Sequence, residues 1–190
     1  MYKGGNKMIY TMLYPSPVGK LLLAEEDGAL IGLWLEGQKY FMEPIGGMPM
    51  EPASAPALNR AAEWLDRYFA GERPAAGELR LAPAGSEFRK EVWKILCEIP
   101  WGEVSTYGEI SGKIAAGRGL KHMSAQAVGG AVGHNPISII IPCHRVVGSG
   151  GSLTGYAGGI DKKIWLLTHE GISMERFFVP ERGTARQPQG

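Results

Sequence analysis

The stretch that most limits how this chain can fold is residues 71–85, GERPAAGELRLAPAG. Proline removes an amide donor and fixes φ, and glycine weakens helix and strand alike, so neither a long helix nor a central strand can run through it. The 190-residue chain therefore reads as two compact units joined by a linker, with room only for a short strand at Glu78 to Leu81.

Before the linker, residues 1–80 read as a small α/β domain. Met8 to Leu35 is rich in Leu, Ile and Tyr and predicts two or three short strands, with Glu26-Asp27-Gly28 as a hairpin turn. Residues 42–56 are dense in Pro, Gly and Met without periodicity and read as a loop. A helix follows over about 57–70, with Leu58, Ala61, Ala62, Leu65 and Phe69 on one side and Gly71 to stop it. Asp27, Glu63 and Asp66 read as exposed turn and helix-face acids, not as metal ligands.

After the linker the period changes from two to 3.6, and residues 86–175 predict a mainly α domain. Ser86 caps a helix carrying Phe88, Val92, Ile95, Leu96 and Ile99, within which Cys97 reads as a packed small hydrophobe; Pro100 ends it. Thr106 and Glu109 form a capping box for a second helix from Tyr107, with Ile110 and Ile114 inward. A loop at 117–122, GRGLKH, leads to Ser124 and a third helix, AQAVGGAVGHN. The last two predict a helix-turn-helix pair, whose second member enters a DNA groove. That member is small-sided through Ala125, Ala127, Gly129, Gly130, Ala131 and Gly133, at a loss of helix propensity. Either its backbone approaches a partner closely or it packs tightly on the preceding helix. The run NPISIIIPCHRVV then reads as an apolar strand ending in Cys143, GSGGSLTGYAGG as a hairpin or wing, and Asp161 to Glu170 as a last helix stopped by Gly171. Residues 176–190 read as an extension that is disordered at its end, with Phe177 and Phe178 adding a strand or packing across the domain.

Composition narrows the classes. A charge of +1 does not announce a nucleic-acid binder through its bulk field, so DNA contact would have to come from local geometry. No apolar run is long enough to span a bilayer and no secretion signal opens the chain, which predicts a cytoplasmic protein without membrane attachment whose two cysteines stay reduced. The histidines at 122, 134, 144 and 169 show no metal-ligand spacing. No coiled coil or pairing surface is evident, so a monomer is expected.

Cysteine acts as a nucleophile only when its pKa is lowered or a base takes its proton. His144 adjoins Cys143, but neighbours on a strand face opposite ways, so the pair works only if Pro142 and the following turn bend the backbone. A base needs an orienting group, and Glu170 and Asp161 are both candidates that spacing alone does not separate.

The pattern AVGGAVGHNPISIII, PCHRVV, GYAGG and WLLTHEG, over residues 86–171, resembles the methylated-DNA–protein-cysteine methyltransferases, the O6-alkylguanine-DNA alkyltransferases. Residues 8–81 are similar, more weakly, to that family's variable N-terminal domain. The resemblance implies a ribonuclease H-like first domain and a winged helix-turn-helix second domain. It implies that Cys143 accepts the alkyl group from O6 of a guanine flipped out of double-stranded DNA, in a single irreversible transfer without cofactor or metal. It implies that His144 takes the thiol proton through a water, that Glu170 rather than Asp161 orients His144, and that Tyr107 gives a proton toward guanine N3. Asn135 would brace the active-site turn, Cys143 and Val146 backbone groups would read the guanine edge, and Tyr156, Ala157 and Gly158 would wall the pocket. Arg145, which alone would suggest a phosphate contact, is implied to be structural.

For DNA the implied face is Ser124, Ala125, Gln126, Ala127 and Gly129, with Arg118 and Lys121 either touching phosphate or solvated. Gln126 is a departure, since the family usually has an arginine there to fill the gap left by the flipped base; the expectation is that extrusion survives while duplex affinity and its salt dependence weaken. Some relatives bind alkylated DNA without repairing it because the acceptor cysteine is replaced. Retention of Cys143, His144, Tyr107 and Glu170 argues against that alternative here. O4-alkylthymine is a further possible substrate class that the residues do not decide.

Overall fold

A computed structural model describes residues 8–181. The first unit is a four-stranded sheet of order β3-β2-β1-β4, built from β1 (Ile9–Ser16), β2 (Gly19–Glu26), β3 (Ala29–Leu35) and β4 (Met50–Pro52). β1 to β3 form an antiparallel meander, and β4 adds parallel to β1. The turn between β2 and β3 is two residues long, with Asp27 and Gly28 both at positive φ (52° and 74°), the backbone that matches strand twist in tight hairpins. Helix α1 (Pro56–Phe69) lays Leu58, Ala61, Leu65 and Tyr68 against the sheet. Its N-terminus has no cap of its own; the buried Glu25 of β2 accepts from the Ala57 amide at 3.0 Å instead.

The second unit comprises α2 (Glu87–Leu96), β5 (Ser105–Thr106), α3 (Tyr107–Gly117), α4 (Ala125–Gly133), β6 (Val146–Val147) and α5 (Ile160–His169). Ser86, Thr106 and Ser124 each cap the helix expected of them, and Glu109 completes the capping box on α3. The core runs through both units without a break: Leu30, Leu33 and Leu35 of β3 share one cluster with Val92, Leu96, Ile137 and Ile141. β3 is buried along its whole length, because Leu30, Leu33 and Leu35 pack into the main core while Ile31 and Trp34 pack on the other face with Ile9 and Ile45, and its outer edge is met by backbone from beyond the hairpin. Leu30 pairs with Leu81 of the linker, and Leu33 with Ile137 of the segment leading to Cys143. An unpaired edge strand is thereby removed, and the approach to Cys143 is tied to the first unit.

Several local expectations are corrected. The run Ile137 to Ile141 is not a strand: after its single bridge to Leu33 it turns, with Ile139 at φ 71°, and Cys143–Arg145 form a 3₁₀ turn. Buried on all sides, this segment is apolar because of where it lies, so strand-like composition misled. The expected loop at 42–56 contains a 3₁₀ turn (Glu43–Ile45) and β4. In the linker, a 3₁₀ turn (Ala76–Glu78) and one bridge at Leu81 replace the strand. Cys97 is the C-cap residue of α2 and is exposed, not packed within the helix. The glycine-rich segment forms no hairpin; it holds a 3₁₀ turn (Ser149–Gly151), and Ser152 pairs with Phe178. The expected disorder at the chain end falls on 182–190, outside the described residues. No helix among the described residues is long and apolar enough to cross a membrane.

Candidate active site

Cys143 opens the 3₁₀ turn at the centre of the second unit, 5% exposed, with His144 and Glu170 fully buried beside it. Pro142, at φ −81° and ψ 64°, makes the bend that lets consecutive residues serve one site. Asn135 braces this turn. Its Nδ2 donates to Ile141 O at 2.8 Å and to Cys143 Sγ at 3.1 Å, while its Oδ1 accepts from the Ile137 amide at 3.0 Å. These bonds span both sides of Ile139, whose left-handed backbone costs a β-branched residue roughly 1–3 kcal/mol.

Of the two carboxylates, Glu170 is the one at the histidine: its Oε1 lies 2.6 Å from His144 Nε2. Arg145 reaches the same group, with Nε 2.8 Å from Oε2 and Nη2 3.0 Å from Oε1, and its Nη1 donates to Ile99 O at 2.6 Å. The guanidinium is thus spent inside the protein, fastening the Cys143 turn to the end of α5 and to the segment after α2. Burial alone would push the Glu170 carboxyl up, but the hydrogen bonds from His144 and Arg145 hold it down at about 2. An ionised carboxylate only accepts, so His144 Nε2 carries the hydrogen. Burial pushes the His144 pKa down against the pull of Glu170, leaving the ring neutral. Nδ1 then bears the lone pair, and it has no hydrogen-bond partner among the described residues. It is the one ring atom able to receive a proton.

Burial raises the Cys143 pKa, and the Asn135 donor and the Lys163 charge pull it back. The resting sulfur is therefore a thiol that needs a base. Lys163 of α5 escaped the reading of the sequence. It is completely buried and donates to Val146 O at 2.5 Å and Thr154 O at 2.9 Å, and desolvation lowers its pKa to about 8. A signal was present: Lys163 shares the inward face of α5 with Leu166 and Leu167, three and four residues on.

Around the sulfur, the Tyr107 hydroxyl donates to Thr154 O at 3.3 Å, and burial with the nearby Cys143 pushes its pKa up to about 12. A Cβ on Gly155, at φ 73°, would come within 2.6 Å of that hydroxyl, so only glycine leaves the tyrosine its place. Tyr156 contributes a buried hydroxyl with no partner among the described residues. Ala157 accepts from the Lys39 amide at 3.0 Å, and Gly158 lies against Tyr156 and Leu35, which ties this loop to the first unit. Val146 O already receives Lys163, and its second lone pair remains for another donor.

α3 and α4 pack as a helix-turn-helix pair, with Val128, Ala131 and Val132 inward. Ser124, Ala125, Gln126 and Ala127 are exposed, and Gly129 is half-buried against the Tyr107 ring. Added Cβ atoms at Gly130 and Gly133 would meet nothing within 4 Å, so tight packing on α3 does not explain these glycines. Lys121 is exposed. Arg118 is exposed and ion-paired to α2, its Nε and Nη2 2.9 and 2.6 Å from Glu91 Oε2.

Comparison with known proteins places the chain in a family. Residues 87–172 match the family model for the 6-O-methylguanine DNA methyltransferase DNA-binding domain, and residues 9–83 the ribonuclease-like domain of the same proteins. The methylated-DNA–protein-cysteine methyltransferase of Methanosarcina acetivorans is 42% identical over 164 residues, covering 86% of this chain and 99% of that one. That of Mycolicibacterium paratuberculosis is 44% identical, covering 86% and 93%. The crystal structure of Mycobacterium tuberculosis OGT in complex with DNA is similar at TM-score 0.70 and 40% identity, covering 86% of this chain and 92% of that one. The chain belongs to the 6-O-methylguanine DNA methyltransferase family, with a ribonuclease-like first domain and a winged helix-turn-helix second domain.

Proposed function

We propose that this protein repairs DNA by direct reversal, moving the alkyl group from O6 of guanine onto Cys143 Sγ. The S–C bond forms as the C–O6 bond breaks, and guanine departs with the electron pair. The thiol proton passes through a water to His144 Nδ1, Glu170 steadies the imidazolium, and Tyr107 supplies a proton toward guanine N3. The thioether product is a poor leaving group, so each molecule acts once. Family membership supports the reaction; the observation that carries the assignment of residues is the 2.6 Å contact of His144 Nε2 with Glu170, which leaves Nδ1 as the base.

Guanine in a duplex cannot reach a buried sulfur, so the nucleotide is flipped past α4 into the space bounded by Tyr107, Val146 and the Tyr156 to Gly158 loop. The exposed small side chains of α4 suit close contact with DNA, Gln126 takes the place of the extruded base, and Ser124 and Lys121 meet phosphate. The protein acts as a cytoplasmic monomer. The test is the intact mass after incubation with a duplex holding one O6-methylguanine, followed by peptide mapping. A single methyl on Cys143 with loss of the lesion is expected; a folded protein that binds the duplex without gaining mass would overturn the assignment.

A further inference from the structure

Glu170 has a partner from the other domain. Tyr68, on the last turn of α1, donates its hydroxyl to Glu170 Oε1 at 2.8 Å, across 102 residues of sequence. It is 1% exposed and fixed on several sides: Trp64 stacks on its ring at 5.5 Å, Trp101 and Phe69 meet it edge-on at 5.2 Å, and His169 Nε2 lies 2.8 Å from its carbonyl. Burial and the adjoining carboxylate keep the phenol protonated far above neutral pH, so it always donates.

We propose that Tyr68 is a positioning residue of the alkyl-transfer site, through which the N-terminal domain sets the proton affinity of His144. Its hydroxyl binds the same carboxylate oxygen that receives His144 Nε2. Every donor on that oxygen withdraws negative charge from the imidazole, so the hydroxyl makes His144 a weaker base and fixes the carboxylate in direction. The ribonuclease-like domain thereby contributes to the chemistry without touching DNA or the sulfur. This inference rests on the Glu170-His144-Cys143 relay proposed above.

Tyr68→Phe keeps the ring and its aromatic contacts and deletes only the donor. The other titratable groups around Tyr68, Glu170 and His144 are Cys143 and Arg145 on the same turn, Tyr156 on the pocket loop, and Lys163 and His169 on α5, with Cys97 reaching them only through Arg145; the substitution replaces none of them. Two readouts on the full-length protein are needed: the His144 ring nitrogens followed by NMR titration, and single-turnover methyl transfer against pH. In the variant the His144 pKa and the acid limb of the rate profile both move up, by about 0.5–1 pH unit, as expected for loss of one hydrogen bond to a shared carboxylate. A phenylalanine variant with an unmoved His144 titration, whatever its melting temperature, would reduce Tyr68 to packing and overturn the inference. If the titration moves while wild-type transfer has no acid limb, Tyr68 does tune His144 and it is the relay that fails.

Discussion

Lys163→Met gives the sharpest test of how this site is built. The ammonium is wholly buried, and its pKa falls from the ordinary 10.5 to about 8 because burial disfavours the charge. The difference corresponds to roughly 3 kcal/mol of folding stability tied to pH. Its sign follows from proton counts. Between pH 8 and 10.5 the unfolded chain holds the lysine proton and the folded one has released it, so raising pH through this window stabilises the wild type. Below it the desolvation cost is present in full. Methionine fills similar volume without charge, so that cost disappears, but Val146 O loses the Lys163 donor while Thr154 O keeps the Tyr107 hydroxyl. A buried acceptor left unmade costs about 1–3 kcal/mol, which offsets most of that gain at neutral pH. Urea unfolding across the alkaline range should therefore give a variant that resembles wild type near neutrality and falls progressively behind as pH rises. Parallel curves for the two proteins would refute a charged, desolvated lysine at this place. Transfer to Cys143 should slow in the variant, since the lysine charge favours the thiolate.

Asn135→Asp keeps the acceptor for the Ile137 amide but replaces the donor to Cys143 with a negative charge; single-turnover transfer should fall by about 100-fold or more, at roughly 2.7 kcal/mol, in a protein that circular dichroism finds folded. Glu170→Gln should remove the acid-side stability contributed by a carboxylate held at about 2: that contribution is present above the unfolded carboxylate range near 4.5 and is lost as pH falls toward 2, so the variant's acid unfolding profile should be flatter. Gln126→Arg should tighten duplex binding and steepen its dependence on salt by about one phosphate contact, checked by affinity over a salt series; an unchanged slope would take residue 126 out of the DNA interface.

Legibility differed by the range of the interaction. The Asp27-Gly28 turn and the caps Ser86, Thr106 and Ser124 were readable because each acts within about four residues. The same holds for the small exposed side of α4. Asn135 and the Cys143-His144 pair stood out through resemblance, and the choice of Glu170 over Asp161 came with it; spacing alone left both open. The Ile137 to Ile141 run was misread because composition reports burial and not conformation. Whether such a run lies in a strand depends on a partner edge, and β3 offers it only one bridge before Ile139 turns away.

What the sequence by itself determined is the division at the linker, the helix starts, and the Cys143-His144 pair as the candidate site. The tertiary structure alone decided the protonation states of the groups at that site. The resting thiol of Cys143, the neutral ring of His144 and the depressed Lys163 all follow from burial, and burial is a property of the assembled core. The hydroxyl of Tyr68 meets Glu170 only because α1 of the first domain packs beside α5 of the second, a contact between positions that no local pattern connects.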